Sequence, residues 1–313
     1  MSGPLERSYA DNARAGAARI EIKQGRHTRL GGTSILRVLP TKRRRAIGPW
    51  CFVDLIRPDD LESPPPLEIG PHPHIGLSTV TWLFAGSVLH SDSLGTEQPI
   101  RPGELNLMSA GHGVAHAEES LEIGSGSDTG GVLGAQMWLA QDDVHRNGAP
   151  TFAHHTDLPL VELASSRARI IAGTFAGTRS PAAALDSLIG IDIELSGSVE
   201  LPLDPAWEHG VLPIDQPLKV ADEIVEPGSV AVVPQGYHNL RLETRSHKAK
   251  ALIIGGEPLA KPIVMWWNFV ARSKAEITNA WRDWDTDNTD RFGPVPTGLR
   301  RIDAPRPPWL PRS

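Results

Sequence analysis

The chain has 313 residues, which is enough for two domains of ordinary size, each with a buried core. It carries 31 Lys and Arg against 37 Asp and Glu, and the net charge of −6 excludes a global attraction to nucleic acid or anionic lipid. The single cysteine excludes an internal disulfide framework and a cysteine-rich zinc site. No apolar run approaches the roughly 18 residues of a membrane span, and residues 1–26 lack the apolar segment of a signal peptide. We therefore expect a cytoplasmic protein.

The first half of the chain has the pattern of an all-β domain. Its many glycines and prolines, 30 and 28 in the whole chain, favour short strands joined by turns. After a polar N-terminal arm (residues 1–33) with at most one strand near residues 18–22, we predict strands at residues 34–39, 79–84, 87–90, 104–108 and 132–140. Strands this short and this closely spaced are typical of an antiparallel barrel or sandwich, which we assign to residues 34–165.

The second half repeats this style. Residues 226–233 (EPGSVAVV) follow the pattern of residues 101–108 (RPGELNLM), at an offset too long for a solenoid repeat, so we predict two copies of one domain. The second copy is assigned to residues 166–295. A capping box at residues 273–276 (SKAE), followed by apolar residues at helical spacing, predicts one short helix at its end.

Two further segments have alternative interpretations. The basic residues 42–45 (KRRR) suit either a nucleic-acid patch or a solvated loop, and we favour the loop because the rest of the chain does not extend the basic surface. The proline-rich tail, residues 296–313, suits either a ligand for a partner domain or an arm that lies on its own protein, and we favour the arm.

The candidate chemistry lies in two residue pairs. His72 and His74 are two residues apart, and so are His116 and Glu118. In a strand, residues i and i+2 point to the same face, so neighbouring strands would bring three imidazoles and one carboxylate together. Such a set suits one divalent first-row metal, and octahedral geometry would leave two positions open. The alternative is that these are loop and strand-end residues without a common role.

Two other histidines lie near these pairs in the sequence but do not share their spacing. We interpret His90 as a strand or hairpin residue and His112 as a turn residue, and either suits a supporting role beside the metal ligands.

The motifs around these residues closely resemble the pirin family. They are residues 71–86 (PHPHIGLSTVTWLFAG), 90–95 (HSDSLG), 101–104 (RPGE) and 108–118 (MSAGHGVAHAE), in family order. Supporting pieces are residues 37–40 (RVLP), Gly48-Pro49 with Asp54, residues 136–138 (QMW) and residues 255–259 (GGEPL). The resemblance covers roughly residues 34–295.

The resemblance implies a bicupin, which is a pair of antiparallel cupin-type β-barrels with a short C-terminal helix. It also implies one metal in the N-terminal barrel, bound by His72, His74, His116 and Glu118. Iron (Fe²⁺) is the preferred metal, with Mn, Ni, Cu, Co and Zn as alternatives.

The sequence departs from the family pattern at three positions. Pirins often have Arg where this chain has Ile75, Glu where it has Ser78, and Arg where it has His112. These changes remove charge from the expected entrance to the metal.

The second barrel should lack a metal. Shifting the ligand positions by the repeat offset gives Gly197, Val199, Arg241 and Glu243, so no pair of histidines survives. Three other polar residues lie in this half, and we interpret them as packing or surface groups: Glu208, His209 and His238.

Two functions follow from the resemblance. The first is a metal-dependent dioxygenase that cleaves a flavonol such as quercetin with dioxygen, with Glu118 as the catalytic base and Ile75, Leu107 and Trp138 lining a dry pocket. The second is an iron-dependent, redox-responsive regulatory protein that binds a transcription factor or a metabolic enzyme. We favour the enzyme, with a small aromatic substrate and no direct nucleic-acid binding.

Overall fold

The computed structural model describes residues 19–30, 33–42, 44–57, 66–121, 131–182 and 187–311. Three predictions fall partly outside this range, at residues 1–18 and 31–32 of the arm, Arg43 of the basic loop and residues 312–313 of the tail. The chain divides into two compact units. The N-terminal unit combines residues 26–158 with 259–313, and the C-terminal unit combines residues 1–25 with 159–258.

The described chain begins with β1 (Glu21–Gln24), which pairs with a strand of the C-terminal unit. The eleven strands that follow, as described, build the barrel of the N-terminal unit. They are β2 (Arg26–Leu30), β3 (Thr33–Leu39), β4 (Trp50–Ile56), β5 (Glu68–His74), β6 (Leu77–Ala85), β7 (Val88–Asp92), β8 (Glu97–Ile100), β9 (Leu105–Ser109), β10 (Val114–Ser120), β11 (Leu133–Ala140) and β12 (Thr151–His155).

These strands form two antiparallel sheets, as the described residues show them. The larger has the order β12-β9-β6-β11-β4-β3-β2, and the smaller has the order β5-β10-β7-β8. Strand β6 is rich in β-branched and aromatic residues, which favour pleated and buried strands, and it is almost entirely buried. The strands predicted for this half are confirmed to within two residues at each end.

The C-terminal unit repeats this architecture. Its described strands after β1 are β13 (Leu160–Leu163), β14 (Ser166–Phe175), β15 (Thr178–Arg179), β16 (Leu188–Leu195), β17 (Ser198–Pro202), β18 (Glu208–Pro213), β19 (Leu218–Val220), β20 (Glu223–Val225), β21 (Ser229–Val233), β22 (Asn239–Glu243) and β23 (Ala249–Gly256). The large sheet has the order β1-β21-β18-β23-β16-β14-β13 and the small sheet the order β17-β22-β19-β20. The same strand order in both units confirms two antiparallel β-barrels.

The remaining described elements are β24 (Val264–Trp266), β25 (Phe269–Ala271) and α1 (Lys274–Asp285). Helix α1 begins as predicted, because the Ser273 hydroxyl accepts a hydrogen bond from the Glu276 N–H. Its apolar face packs in one cluster with Ile75 and Ala115 of the N-terminal unit. The expected division, which grouped the helix with residues 166–295, therefore differs from the compact units. Local spacing identified the helix but carried no information about the sheet it covers.

The N-terminal arm also differs from the expectation. Residues 21–24 form β1 and pair with β21 of the C-terminal unit, whereas residues 26–30 form β2 and pair with β3 of the N-terminal unit. Both segments are polar, so their strand signal is weak. Each occupies a sheet edge whose backbone groups need partners, and this pairing fixes them as strands.

The described part of the tail lies on its own protein, as we predicted. The Trp309 indole N–H donates to the Thr278 hydroxyl at 3.0 Å, and the Trp284 indole N–H donates to the Ile302 carbonyl at 2.9 Å. The Ile302 N–H in turn donates to the Pro71 carbonyl of β5 at 2.9 Å. We call residues 300–310 the C-terminal strap. Among the described helices, none is long and apolar enough to cross a membrane.

Candidate metal centre

The two predicted residue pairs lie on neighbouring strands. Strand β5 carries His72 and His74, β10 carries His116 and Glu118, and the two strands pair antiparallel with His72 directly opposite His116. The register shifts between His116 and Glu118, because β5 advances three residues there, from His72 to Ile69, while β10 advances two. All four side chains are buried, and they belong to two groups of converging ligand atoms, so the alternating positions share one face of the strands.

The three histidines form one group of converging side chains. Their ring centroids lie 4.3 to 5.0 Å apart, and the Nε2 atoms of His74 and His116 are 3.0 Å apart. One nitrogen from each ring lies within 4.8 Å of the other two. This spacing suits three nitrogen ligands around one first-row metal ion.

Glu118 belongs to a second group that shares His116. A carboxylate oxygen of Glu118 lies within 4.8 Å of ring nitrogens of His90 and His116. The Thr81 hydroxyl lies 2.8 Å from Gln136 Oε1 and 3.4 Å from Glu118 Oε1, so its one hydrogen points to the Gln136 oxygen with the carboxylate as a longer second contact. The structure therefore brings all four predicted residues to one place, with His116 common to both groups.

Backbone carbonyls set the orientation of two ligand rings. His72 Nδ1 lies 2.9 Å from the Gly70 carbonyl oxygen, and His74 Nδ1 lies 3.0 Å from the Asn268 carbonyl oxygen. A carbonyl only accepts, so each Nδ1 carries the proton and each Nε2 keeps its lone pair. This is the outer hydrogen bond that metal-binding histidines ordinarily make. The donor set of three imidazoles and one carboxylate therefore fits a divalent metal.

Burial controls the charge of the ligands. Removal from water lowers the pKa of His72 to about 4 and holds the pKa values of His74 and His116 well below their ordinary value. The same burial raises the pKa of Glu118. The three imidazoles are consequently neutral near neutral pH, which is the form that binds a metal.

His90 lies beside the centre and His112 does not join it. His90 lies on β7 and its Nδ1 is 3.4 Å from His116 Nδ1, whereas His112 is exposed with its Nδ1 3.0 Å from the Gly148 carbonyl oxygen. Asp92, which the sequence analysis did not single out, accepts from His90 Nε2 at 3.1 Å. The sequence signal that could have identified Asp92 is its position two residues after His90 on one strand, the same spacing that marks the two candidate ligand pairs.

A cavity of about 80 Å³ opens beside the ligands. Its aromatic wall is the stacked pair Phe52 and Trp138, whose ring centroids are 3.8 Å apart at an interplanar angle of 11°. Arg37 lies over the Phe52 ring and forms a two-pronged ion pair with Asp54, at 2.7 and 2.8 Å. The cavity thus combines a flat apolar wall with a charged pair and the metal ligands.

The predicted lining is only partly correct. Trp138 lines the cavity, but Leu107 does not, and Ile75 packs with Phe269 in a different cluster. Ile75 lies on the face of the strand opposite to the cavity, because it follows His74 directly and successive strand residues point to opposite faces. Ser78 is buried and bonds the Ser109 hydroxyl at 3.0 Å, so neither family departure at Ile75 or Ser78 lies in the cavity wall.

The C-terminal unit fills the corresponding space with apolar side chains. Strands β17 and β22 occupy the places that β5 and β10 take in the other unit. The residues of this strand pair that face the core are Val199, Leu201, Leu240 and Leu242. The sequence offset therefore matches an inward-facing position at Val199 on β17, but on β22 it gives the exposed Arg241, one residue from the inward-facing positions. Across the residues that the structure describes, both candidate metal groups lie in the N-terminal unit.

The comparisons with known proteins agree with this geometry. Residues 32–139 match the Pirin family, and residues 189–292 match the pirin C-terminal cupin domain. A Pseudomonas aeruginosa protein named "putative quercetin 2,3-dioxygenase" is 41% identical over 283 residues, which are 89% of this chain and 87% of that protein. A pirin-like protein from Caulobacter vibrioides is 34% identical, with 84% of this chain and 92% of that protein covered.

A solved structure extends the similarity to the fold. The crystal structure of quercetin 2,3-dioxygenase from Acinetobacter baumannii superposes with a TM-score of 0.85 at 35% identity, and the match covers 94% of this chain and 97% of that one. The matched domains, the repeated barrels and the sequence identity lead to one conclusion: this chain belongs to the pirin family and has its fold of two cupin domains.

Proposed function

We propose that this protein is a metal-dependent dioxygenase that cleaves a flavonol such as quercetin. The observation that carries the proposal is a buried set of three histidines and one glutamate that opens into an aromatic-walled cavity. The names of the Pseudomonas and Acinetobacter relatives support the same substrate class. In this reaction dioxygen adds across the central ring, and the ring opens with release of carbon monoxide.

The metal would be held by His72, His74, His116 and Glu118, with one ion per chain and iron as our preferred metal. When bound, such an ion supplies Lewis acidity and a route for electrons between the substrate and dioxygen. An octahedral ion with four protein ligands keeps two positions open, which is more than a structural site needs.

Glu118 is the residue that we assign to proton transfer. It is the one carboxylate among the four ligands, and its position beside the cavity brings it within reach of a hydroxyl on a bound substrate. Its base form accepts the 3-hydroxyl proton of the flavonol, which leaves the substrate as the more electron-rich flavonolate.

The cavity wall selects flat substrates. The faces of Phe52 and Trp138 suit an aromatic ring, and the Arg37–Asp54 pair offers both a donor and an acceptor for phenolic hydroxyls. An apolar cavity of about 150 Å³ takes one benzene ring, so a cavity of about 80 Å³ is smaller than a single aromatic ring requires. A whole flavonol therefore requires movement of Trp267 or Ile302, which also line the cavity.

Oxygen uptake with quercetin tests the function. The metal-free chain is reloaded with Fe²⁺ and assayed for oxygen consumption and carbon monoxide release, and metal analysis should give one ion per chain. Glu118→Gln should lower turnover far more than metal content, because the amide can still coordinate weakly but cannot take the proton. Glu119→Gln, on the opposite face of β10, is the matched control and should leave both unchanged.

The result that refutes the proposal is a fully iron-loaded protein that consumes no oxygen with any flavonol. The regulatory hypothesis would then take its place. At present no structural observation favours it, because Ile75 and Ser78 are buried and contribute nothing to a partner surface. We also propose, on the sequence evidence alone, that the protein works in the cytoplasm without binding nucleic acid directly.

A further inference from the structure

A chain of hydrogen bonds leads from Asp92 to the metal ligands. Asp92 ends strand β7 and is fully buried. Its Oδ1 accepts the backbone N–H groups of Leu94 at 2.9 Å and Thr96 at 3.0 Å, and its Oδ2 lies 3.1 Å from His90 Nε2. In all three recorded hydrogen bonds, with two backbone N–H groups and one imidazole, the Asp92 carboxylate is the acceptor.

The acceptor at Asp92 determines where the proton of His90 resides. A carboxylate accepts and does not donate, so His90 Nε2 carries the hydrogen. In the tautomer with its hydrogen on Nε2, His90 presents a lone pair at Nδ1, and this atom lies 3.4 Å from His116 Nδ1. His116 therefore donates from Nδ1, and its own lone pair is on Nε2.

The hydrogen-bond partner of His74 fixes its tautomer in the same way. His74 Nδ1 donates to the Asn268 carbonyl, so the lone pair of His74 is also on Nε2. The two lone-pair nitrogens, His74 Nε2 and His116 Nε2, are 3.0 Å apart. Two lone pairs at this separation repel each other unless a cation lies between them, so this tautomer pair matches a metal site.

We propose that Asp92 and His90 are positioning residues that set the tautomer of His116 and so keep its Nε2 available to the metal. In the described part of the chain, the recorded partner of His116 Nδ1 is His90 rather than a backbone carbonyl of the kind that orients His72 and His74, and the His90–Asp92 pair takes that place. The inference rests on the metal site of the proposed function but on no step of flavonol cleavage.

The substitution Asp92→Asn reverses the direction of the hydrogen bonds from residue 92 through His90 to His116 and keeps a side chain of the same size. In Asp92→Asn the Oδ1 atom can still accept from Leu94 and Thr96, but the amide nitrogen now faces His90 Nε2 as a donor. His90 must then accept at Nε2 and donate from Nδ1, so His116 Nδ1 becomes the acceptor and the hydrogen moves to His116 Nε2. This blocks the ligand atom. Loss of such an outer hydrogen bond weakens metal binding by about 10- to 100-fold.

Cobalt binding tests the inference independently of activity. Co²⁺ is titrated into the metal-free full-length chain, and the dissociation constant is read from the d–d absorption bands in competition with a chelator. We expect Asp92→Asn to raise this constant at least tenfold. Asp142→Asn is the matched control, because Asp142 accepts from Val144 N, His145 N and His145 Nδ1 in the same way but outside the metal site. This control should bind Co²⁺ like the wild type.

A second variant separates tautomer control from damage to the fold. His90→Gln keeps the polarity, because its amide can donate to Asp92 and accept from His116, so it should bind Co²⁺ within a few-fold of the wild type. His90→Leu should bind as poorly as Asp92→Asn. Long-range ¹H–¹⁵N spectra taken with diamagnetic Zn²⁺ present should place the His116 hydrogen on Nδ1 in the wild type, whereas at the same Zn²⁺ concentration Asp92→Asn should keep it on Nε2.

Two outcomes overturn the inference. One is an Asp92→Asn protein with wild-type Co²⁺ affinity, and the other is a His90→Gln protein that binds as poorly as His90→Leu. Co²⁺ binding that depends on Asp92 in the expected pattern supports the inference even if the iron-loaded protein consumes no oxygen. The Co²⁺ assay therefore distinguishes a failure of this inference from a failure of the proposed function.

Discussion

His209 should make the C-terminal barrel sensitive to acid. It lies on β18 with 1% of its surface exposed, and neither ring nitrogen has a hydrogen-bond partner among the described residues. Burial lowers its pKa from 6.5 to about 4, against the opposing charges of Asp204 and Glu208. Below about pH 6.5 the unfolded chain takes up a proton here that the folded chain does not take up until about pH 4. The free energy of unfolding therefore falls as pH drops through this window.

The size of the effect follows from the shift. Each pKa unit is worth about 1.4 kcal/mol, so a shift from 6.5 to about 4 costs at most about 3 kcal/mol by pH 4. His209→Leu removes both the titrating group and two unpartnered buried nitrogens. We expect this variant to be at least as stable as the wild type near neutral pH, and its advantage should grow by about 3 kcal/mol between about pH 7 and pH 4.

Urea unfolding of the metal-free protein at several pH values measures this difference, with backbone amide NMR signals of β18 and β23 as the probe of the C-terminal unit. Subtracting the variant curve from the wild-type curve cancels the titration of the other buried histidines. His247→Leu, which removes an exposed imidazole from the same unit, is the control, and its curve should stay parallel to that of the wild type. A constant difference between wild type and His209→Leu from pH 7 to pH 4 would refute the reasoning.

Three other predictions concern the N-terminal unit. His116→Ala removes the imidazole common to both ligand groups, so metal analysis should find the site empty while circular dichroism still shows a folded β protein; full metal occupancy would contradict the site. Burial raises the pKa of the Cys51 thiol to about 12, so native protein should resist iodoacetamide at about pH 8 and react only after unfolding. A Cβ on Gly70 would overlap the Arg300 carbonyl oxygen, so Gly70→Ala should displace the C-terminal strap, seen as faster proteolysis after Arg301, whereas exposed Gly298→Ala should not.

The candidate ligands were predictable because strand geometry is local. Residues two apart on a strand share a face whatever the rest of the fold does, so the spacing of His72 with His74 and of His116 with Glu118 was sufficient to group them. Which strand lies beside which is a long-range matter. The prediction required β5 to pair with β10, and the structure has this pairing. It also has an extra residue on β5 between Ile69 and His72, which no local sequence pattern predicted.

The supporting groups were harder to predict because they come from distant parts of the chain. His90 was noted as a neighbour, but the role of Asp92 depends on the turn that brings Leu94 N and Thr96 N to its carboxylate. The Asn268 carbonyl that orients His74 lies 194 residues away in sequence. Backbone carbonyls have no sequence signal at all, since every residue has one, and only tertiary structure selects the one that faces an imidazole.

The sequence by itself determined the all-β class, the repeat of one domain, the capped helix and the four candidate ligand residues. Each of these depends on interactions between residues close in the chain or on a pattern that recurs along it. Tertiary structure alone decided that polar residues 21–24 and 26–30 become edge strands and that helix α1 packs on the N-terminal barrel. It also decided that the C-terminal strap contacts this barrel at Gly70. These outcomes depend on which exposed edge or apolar face remains to be covered once the barrels have formed, and no local sequence pattern records that.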